Sequence, residues 1–215
     1  GKKTFAAGDD YRILPFSKPL DGKYKLIHIN PSDLINNKKI KAINKKCVEN
    51  GDRYLIYIDG TKAQFKKKKD KEAYDQALAK STFKNPFKTD GIIVGMDKMP
   101  SWGLSNTNFE RDLAFIYMKS GKISDKDKAI EFYYSNKLTE FVHYNVCGIV
   151  KGTEQPDEYI VLTCHYDHLG AMGEDVYFPG AHDNASGCAF VLNMAKYFAQ
   201  HPCKNSVVFL FFAGE

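Results

Sequence analysis

A chain of 215 residues, 43% apolar and 27% charged, has room for one large domain or two small ones and an ordinary globular composition. No window approaches the roughly 18–20 uninterrupted apolar residues of a membrane span. Much of the formal charge of +5 sits in one run, Lys66 to Lys69, without the repetition or interleaved stacking aromatics of a nucleic-acid surface; it reads as a solvated helix start. The five cysteines, Cys47, Cys147, Cys164, Cys188 and Cys203, form no C-x-x-C pair. Their odd number argues against a complete disulfide framework, so they leave the compartment open.

Residues 1–21 read as a leading segment that opens on Gly1-Lys2-Lys3-Thr4, a mixed sequence and not an apolar signal core. From Tyr24 to about Lys128 short apolar runs alternate with Lys-rich polar turns. Tyr54-Leu55-Ile56-Tyr57-Ile58 is β-branched and aromatic and closes on Asp59-Gly60, the pattern of a strand and turn. Gly91 to Gly95 and Leu113 to Tyr117 read the same way. Between the first two strands the spacing of Ala73, Tyr74, Ala77 and Leu78 predicts a helix over Lys71 to Lys80. Met99-Pro100-Ser101-Trp102-Gly103 reads as a loop whose Trp folds back onto its own domain. No catalytic constellation falls in this region.

The texture changes after Glu140. Tyr159 to Cys164 is a near-continuous apolar run, as expected for a strand covered on both faces. Ser186 to Gln200 carries Val191, Met194, Ala195 and Phe198 at helical spacing, and Ser206 to Ala213 is a second buried strand. Strand, helix and strand in that order make a βαβ unit with parallel strands.

In open parallel sheets ligands bind beyond the carboxyl ends of the strands. The first of these strands runs directly into His165-Tyr166-Asp167-His168, and the second into Gly214-Glu215. The intervening helix begins after Asp183-Asn184-Ala185. All three polar clusters therefore fall on one rim. Each also has a plainer reading: a polar loop, an N-cap by Asp183, Asn184 or Ser186, and a solvated chain end. Together they favour a metal site. Zinc takes His nitrogen and carboxylate oxygen, a second carboxylate can orient a ligating His, an Asp can bridge two metals, and a Glu beside the reacting water can act as general base. His28, His143 and His201 lack such context and read as structural or surface residues.

At these residues the sequence resembles the co-catalytic zinc aminopeptidases of peptidase family M28. The resemblance runs from about Tyr144-Asn145-Val146 to Glu215. Its core is His165-Tyr166-Asp167-His168-Leu169-Gly170, then Pro179-Gly180-Ala181-His182-Asp183-Asn184-Ala185-Ser186-Gly187, then Phe212-Ala213-Gly214-Glu215. It implies two zinc ions, with His165 a ligand of one, Asp183 bridging both, Asp167 orienting His165 and Glu215 the general base. It also implies an unusual Asp183–Asn184 peptide. His182 stands where the family commonly has an acid. The stretch 22–130 is similar to the protease-associated domain that many members carry, a lid or access wall and not a catalyst. The fold expected is thus α/β: a parallel-sheet zinc-peptidase half domain over 139–215, preceded by a β-rich protease-associated-like domain.

The family pattern places a further acidic ligand immediately after the position of Glu215, then another carboxylate and a distal His. On that basis these 215 residues are expected to bind zinc weakly and to hydrolyse nothing, as the N-terminal part of a larger enzyme acting on peptides. The apolar faces of so small a sheet are expected to drive self-association. Two other readings stay open: a glutaminyl-cyclase-like enzyme with one zinc, and a non-catalytic peptide-binding module. Export, periplasmic or secreted, follows from the resemblance alone.

Overall fold

The computed structural model describes residues 3–101, 111–137, 139–140 and 142–214. The chain divides into two compact units, Gly1–Leu138 and Thr139–Glu215. Both are mixed α/β. Trp102, Gly103 and Glu215 lie outside the described residues.

The first unit is built from β1 (Tyr11–Ile13), β2 (Leu20–Ile29), α1 (Asn37–Asn50), β3 (Tyr54–Asp59), α2 (Lys68–Ser81), β4 (Gly91–Met96), β5 (Ala114–Lys119) and β6 (Ala129–Tyr134). These strands form one sheet in the order β1-β5-β4-β3-β2-β6. β2, β3, β4 and β5 run parallel, and β1 and β6 pair antiparallel at the two ends. The apolar runs in β3, β4 and β5 are continuous because both faces are covered, and successive side chains serve opposite cores. Leu55, Tyr57, Ile93 and Ile116 enter one cluster. Ile56, Ile58, Ile92, Val94 and Phe115 enter the other, under Ile40 and Ile43 of α1 and Tyr74, Ala77 and Leu78 of α2. On the first face no helix packs among the described residues; the sheet curls instead, until the Tyr11 ring of β1 meets Phe132 of β6 edge-on at 5.3 Å. The unit is thus less β-rich than its strand signals suggest, since two helices close one whole face. His28 is structural, its Nε2 2.7 Å from the Asp127 carbonyl oxygen.

The second unit holds β7 (Val146–Val150), β8 (Gln155–His165), β9 (Gly170–Met172), β10 (Val176–Phe178), α3 (Ser186–Gln200) and β11 (Asn205–Phe212). Its main sheet has the order β7-β11-β8. β11 runs parallel to β8, the βαβ arrangement read from the sequence, and antiparallel to β7. α3 lays Val191, Met194, Ala195 and Phe198 over Leu162, Cys164, Val207 and Phe209. Coverage of β8 on both faces does not hold among the described residues: Tyr159, Ile160 and Val161 are 57%, 47% and 49% exposed. β8 is an end strand of this sheet, and α3 packs on only one of its faces. Phe190, Leu192 and Tyr197 on the outer side of α3 are exposed too.

All five cysteines are free. Burial, with the Cys188 thiol beside it, pushes the Cys164 thiol up to about 11, and burial also raises Cys47. Since the thiolate is the reactive form, an aromatic disulfide reagent at pH 8 should modify exposed Cys147 first. Cys47 and Cys164 should react only on unfolding; prompt reaction of all five thiols in the native chain would contradict this packing.

Candidate active site

The parallel pairing of β8 and β11 brings two of the polar clusters to one rim. His165 is the last residue of β8 and pairs with Phe212, the last of β11. The Tyr166 N–H continues the ladder by donating to the Phe212 carbonyl at 2.9 Å. Asn145, just before β7, accepts a hydrogen bond from the Ala213 N–H through Oδ1 at 3.0 Å, so the chain leaving β11 toward Gly214 is held from a second side. Sequence reasoning gave Asn145 no role; a polar residue ahead of a strand carries no signal of what it will hold.

The third cluster arrives through the segment Ala181–Ala185, in which Asp183 and Asn184 depart from helical dihedrals and their shared peptide bond is cis. Three side chains were candidates to cap α3, and the structure separates them. Asn184 Oδ1 accepts from the Gly187 N–H at 3.0 Å, while the Ser186 hydroxyl donates back to the His182 carbonyl at 3.0 Å. Asp183 is released from capping, and its carboxylate meets the histidines of the β8 end. Asp183 Oδ1 lies 3.2 Å from His165 Nε2, and Oδ2 lies 3.9 Å from His168 Nδ1.

His165 is oriented from its other nitrogen. Nδ1 is 2.9 Å from the Asp167 main-chain carbonyl and 3.6 Å from Asp167 Oδ1. The hydrogen-bonding partner is thus the carbonyl, and the carboxylate stands just behind it. A carbonyl can only accept, so Nδ1 carries a proton and leaves Nε2 as the nitrogen that faces Asp183. His168, quoted in the same string but given no role from the sequence, stands beside this pair; its Nδ1 is buried without a hydrogen-bond partner. The remaining histidines divide plainly. His182 is exposed, and His201 stacks on Tyr197 at 4.6 Å. His143 lies where a side chain at Gly214 would come within 3.3 Å of its Nε2.

An imidazole nitrogen facing a carboxylate suits the nitrogen and oxygen donors that zinc takes. Among the described residues no group of three or more His, Cys, Asp or Glu side chains is disposed to hold a metal. The described rim therefore offers a two-residue beginning of a site.

Comparison with known proteins places this rim in context. Residues 145–215 match the family model of Peptidase family M28. A "Probable zinc metalloprotease" of Pyrenophora tritici-repentis (strain Pt-1C-BFP) is 40% identical over 72 residues, 33% of this chain and 17% of that protein. "Leucine aminopeptidase 2" of Trichophyton equinum is 25% identical over 193 residues, 86% of this chain and 36% of that protein. Among solved structures, an aminopeptidase from Aneurinibacillus sp. strain AM-1 shares the fold with a TM-score of 0.52 at 16% identity, over 96% of this chain and 47% of that one. The chain thus spans less than half the length of each of these proteins. The part of the chain that resembles Peptidase family M28 is thus residues 145–215, the stretch that carries all three polar clusters.

Proposed function

We propose that the protein containing these residues is a zinc-dependent aminopeptidase that removes N-terminal residues from peptides, using two zinc ions. The observation that carries this reading is the convergence of His165 and Asp183, 3.2 Å apart on the strand rim of the M28 segment. In this reading His165 Nε2 would hold one zinc and the Asp183 carboxylate would be shared between the two. Bound zinc supplies Lewis-acid polarisation of the scissile carbonyl and a more acidic water. Asp167 fixes the His165 tautomer. Glu215, on the strand rim by sequence and outside the described residues, takes the proton of the attacking water on its carboxylate and delivers it to the departing amine.

The first unit reads as the protease-associated-like domain, an access wall for peptides without catalytic residues. The match to Leucine aminopeptidase 2 supports this by running well beyond 145–215, into the first unit. The half-exposed apolar face of β8 and the outer side of α3 support self-association of the isolated 215 residues. Among the described residues no helix is long and apolar enough to cross a membrane; export to the periplasm or the exterior remains part of the proposal through the family resemblance.

The deciding measurement is zinc per chain and release of p-nitroaniline from leucine p-nitroanilide. It is made on these 215 residues and on the product of the whole reading frame. About two zincs and hydrolysis in the latter, with weak zinc and no hydrolysis in the former, are expected. An absence of zinc from both would sink the peptidase reading.

A further inference from the structure

The peptidase reading leaves the lysine run unused, and the fold makes that run part of a larger feature. β2, β3 and β4 are parallel, so their carboxyl ends share a rim. α1 follows β2 and α2 follows β3, so both helices begin at that rim. Lys38, Lys39 and Lys41 at the start of α1 are exposed, as are Lys62 and Lys66 to Lys69 leading into α2. Three of these are neutralised locally: Lys39 by Asp33 at 2.6 Å, Lys62 by Asp59 at 3.1 Å and Lys68 by Glu72 at 3.8 Å. Lys38, Lys41, Lys66, Lys67 and Lys69 have no ion-pair partner among the described residues. The unit as a whole carries 28 basic against 17 acidic residues, a net +11, whereas Thr139–Glu215 carries three against nine, a net −6.

Helix stability does not account for this placement, because cations in the first turn oppose the helix dipole. Nor is the charge of the kind that grips one phosphate or carboxylate. The three arginines are spent internally: Arg12 on the Pro100 carbonyl, Arg53 on that of Asp21, and Arg111 on those of Pro15 and Thr82. What the rim presents is a spread of lysine ammoniums, point charges without bidentate geometry. A single-stranded polyanion would call for stacking aromatics between them, but Phe65, the aromatic within this segment, is partly buried against Tyr74, ring centroids 5.4 Å apart. Clusters of four to eight lysines on a surface are what an acidic bilayer attracts.

We propose that this lysine rim docks the protein on membranes through acidic phospholipid headgroups. The interaction is peripheral and electrostatic, independent of zinc and of peptide hydrolysis. The test is cosedimentation of the 215-residue chain with vesicles of phosphatidylcholine alone or with about a third phosphatidylglycerol, at low and high salt. Binding is expected only to the acidic vesicles, with loss at high salt, since the Debye length shrinks to about 3 Å at 1 M. Lys66→Gln, Lys67→Gln and Lys69→Gln combined should weaken binding about 10- to 100-fold. These exposed changes leave the core untouched, and far-ultraviolet circular dichroism confirms the fold. Lys151→Gln with Lys196→Gln, in the other unit, should leave binding unchanged. Failure to bind acidic vesicles at low salt overturns the proposal, as does equal binding by the triple variant. Retention on heparin without vesicle binding overturns it in favour of a soluble polyanion.

Discussion

On the proposed two-zinc reading, replacing Asp183 with Asn in the product of the whole reading frame should cut zinc content from about two per chain to one or fewer. Aminopeptidase activity should fall by about a thousandfold, the order expected when several kcal/mol of electrostatic stabilisation is withdrawn. The fold should survive. Asp183 makes no bond to the first turn of α3, where Asn184 Oδ1 accepts from the Gly187 N–H, and the Asp183 side chain is 59% exposed. Asp167→Ala gives the contrast. A partner behind a ligating His is commonly worth 10- to 100-fold in metal affinity, but here the main-chain carbonyl holds Nδ1 at 2.9 Å and survives the substitution. The loss of zinc affinity should therefore stay near the lower end, about tenfold. Zinc content and rate in Asp183→Asn equal to those of the parent would remove this residue from the site. A thousandfold loss in Asp167→Ala would mean that the carboxylate, not the carbonyl, orients the ring.

The βαβ half was legible because its signals are local and strong. Continuous apolar runs mark β8 and β11, a 3.6-residue period marks α3, and the rule that ligands gather at carboxyl ends of parallel strands brings His165 and Asp183 to one rim before any coordinates. The same run of apolar residues could not reveal how many faces of a strand are covered. In β3, β4 and β5 both faces are buried, whereas Tyr159, Ile160 and Val161 of β8 are half exposed. α1 escaped notice because only Ile40, Ile43 and Cys47 turn inward from a helix otherwise made largely of lysine and asparagine. β2 and β6 escaped because polar residues alternate through them, as one-sided exposure at the end of a curled sheet requires. At the site, the undecidable matters were those between adjacent atoms. Whether Asp183, Asn184 or Ser186 caps the helix depends on dihedrals that the sequence does not specify. Whether Asp167 uses its carboxylate or its carbonyl is a choice between two oxygens of one residue.

Gly180→Ala should destabilise the second unit by about 3 kcal/mol and reduce its zinc uptake, although the residue donates nothing to the site. Gly180 has φ +61°, where an L side chain costs about 1–2 kcal/mol. An added Cβ would also lie 2.8 Å from the Asp183 carbonyl oxygen and 2.9 Å from Cβ and Cγ of His168. The first obstacle is backbone and the second is the root of a side chain, so neither can swing aside. Relief requires moving Asp183 or His168, the residues whose approach defines the rim. Gly170 supplies the control. Its φ is +70°, but a Cβ there meets nothing within 4 Å, so Gly170→Ala should show the dihedral cost alone, about 1–2 kcal/mol, and unchanged zinc uptake. Urea denaturation of both variants, followed by the fluorescence of a dye that reports zinc release, separates the two contributions. Equal losses of stability with normal zinc uptake in both would mean that close packing at Gly180 does not set the spacing of His168 and Asp183. A larger loss at Gly180, with zinc uptake falling alongside it, would show that the glycine permits the chain crossing on which the position of the Asp183 carboxylate depends.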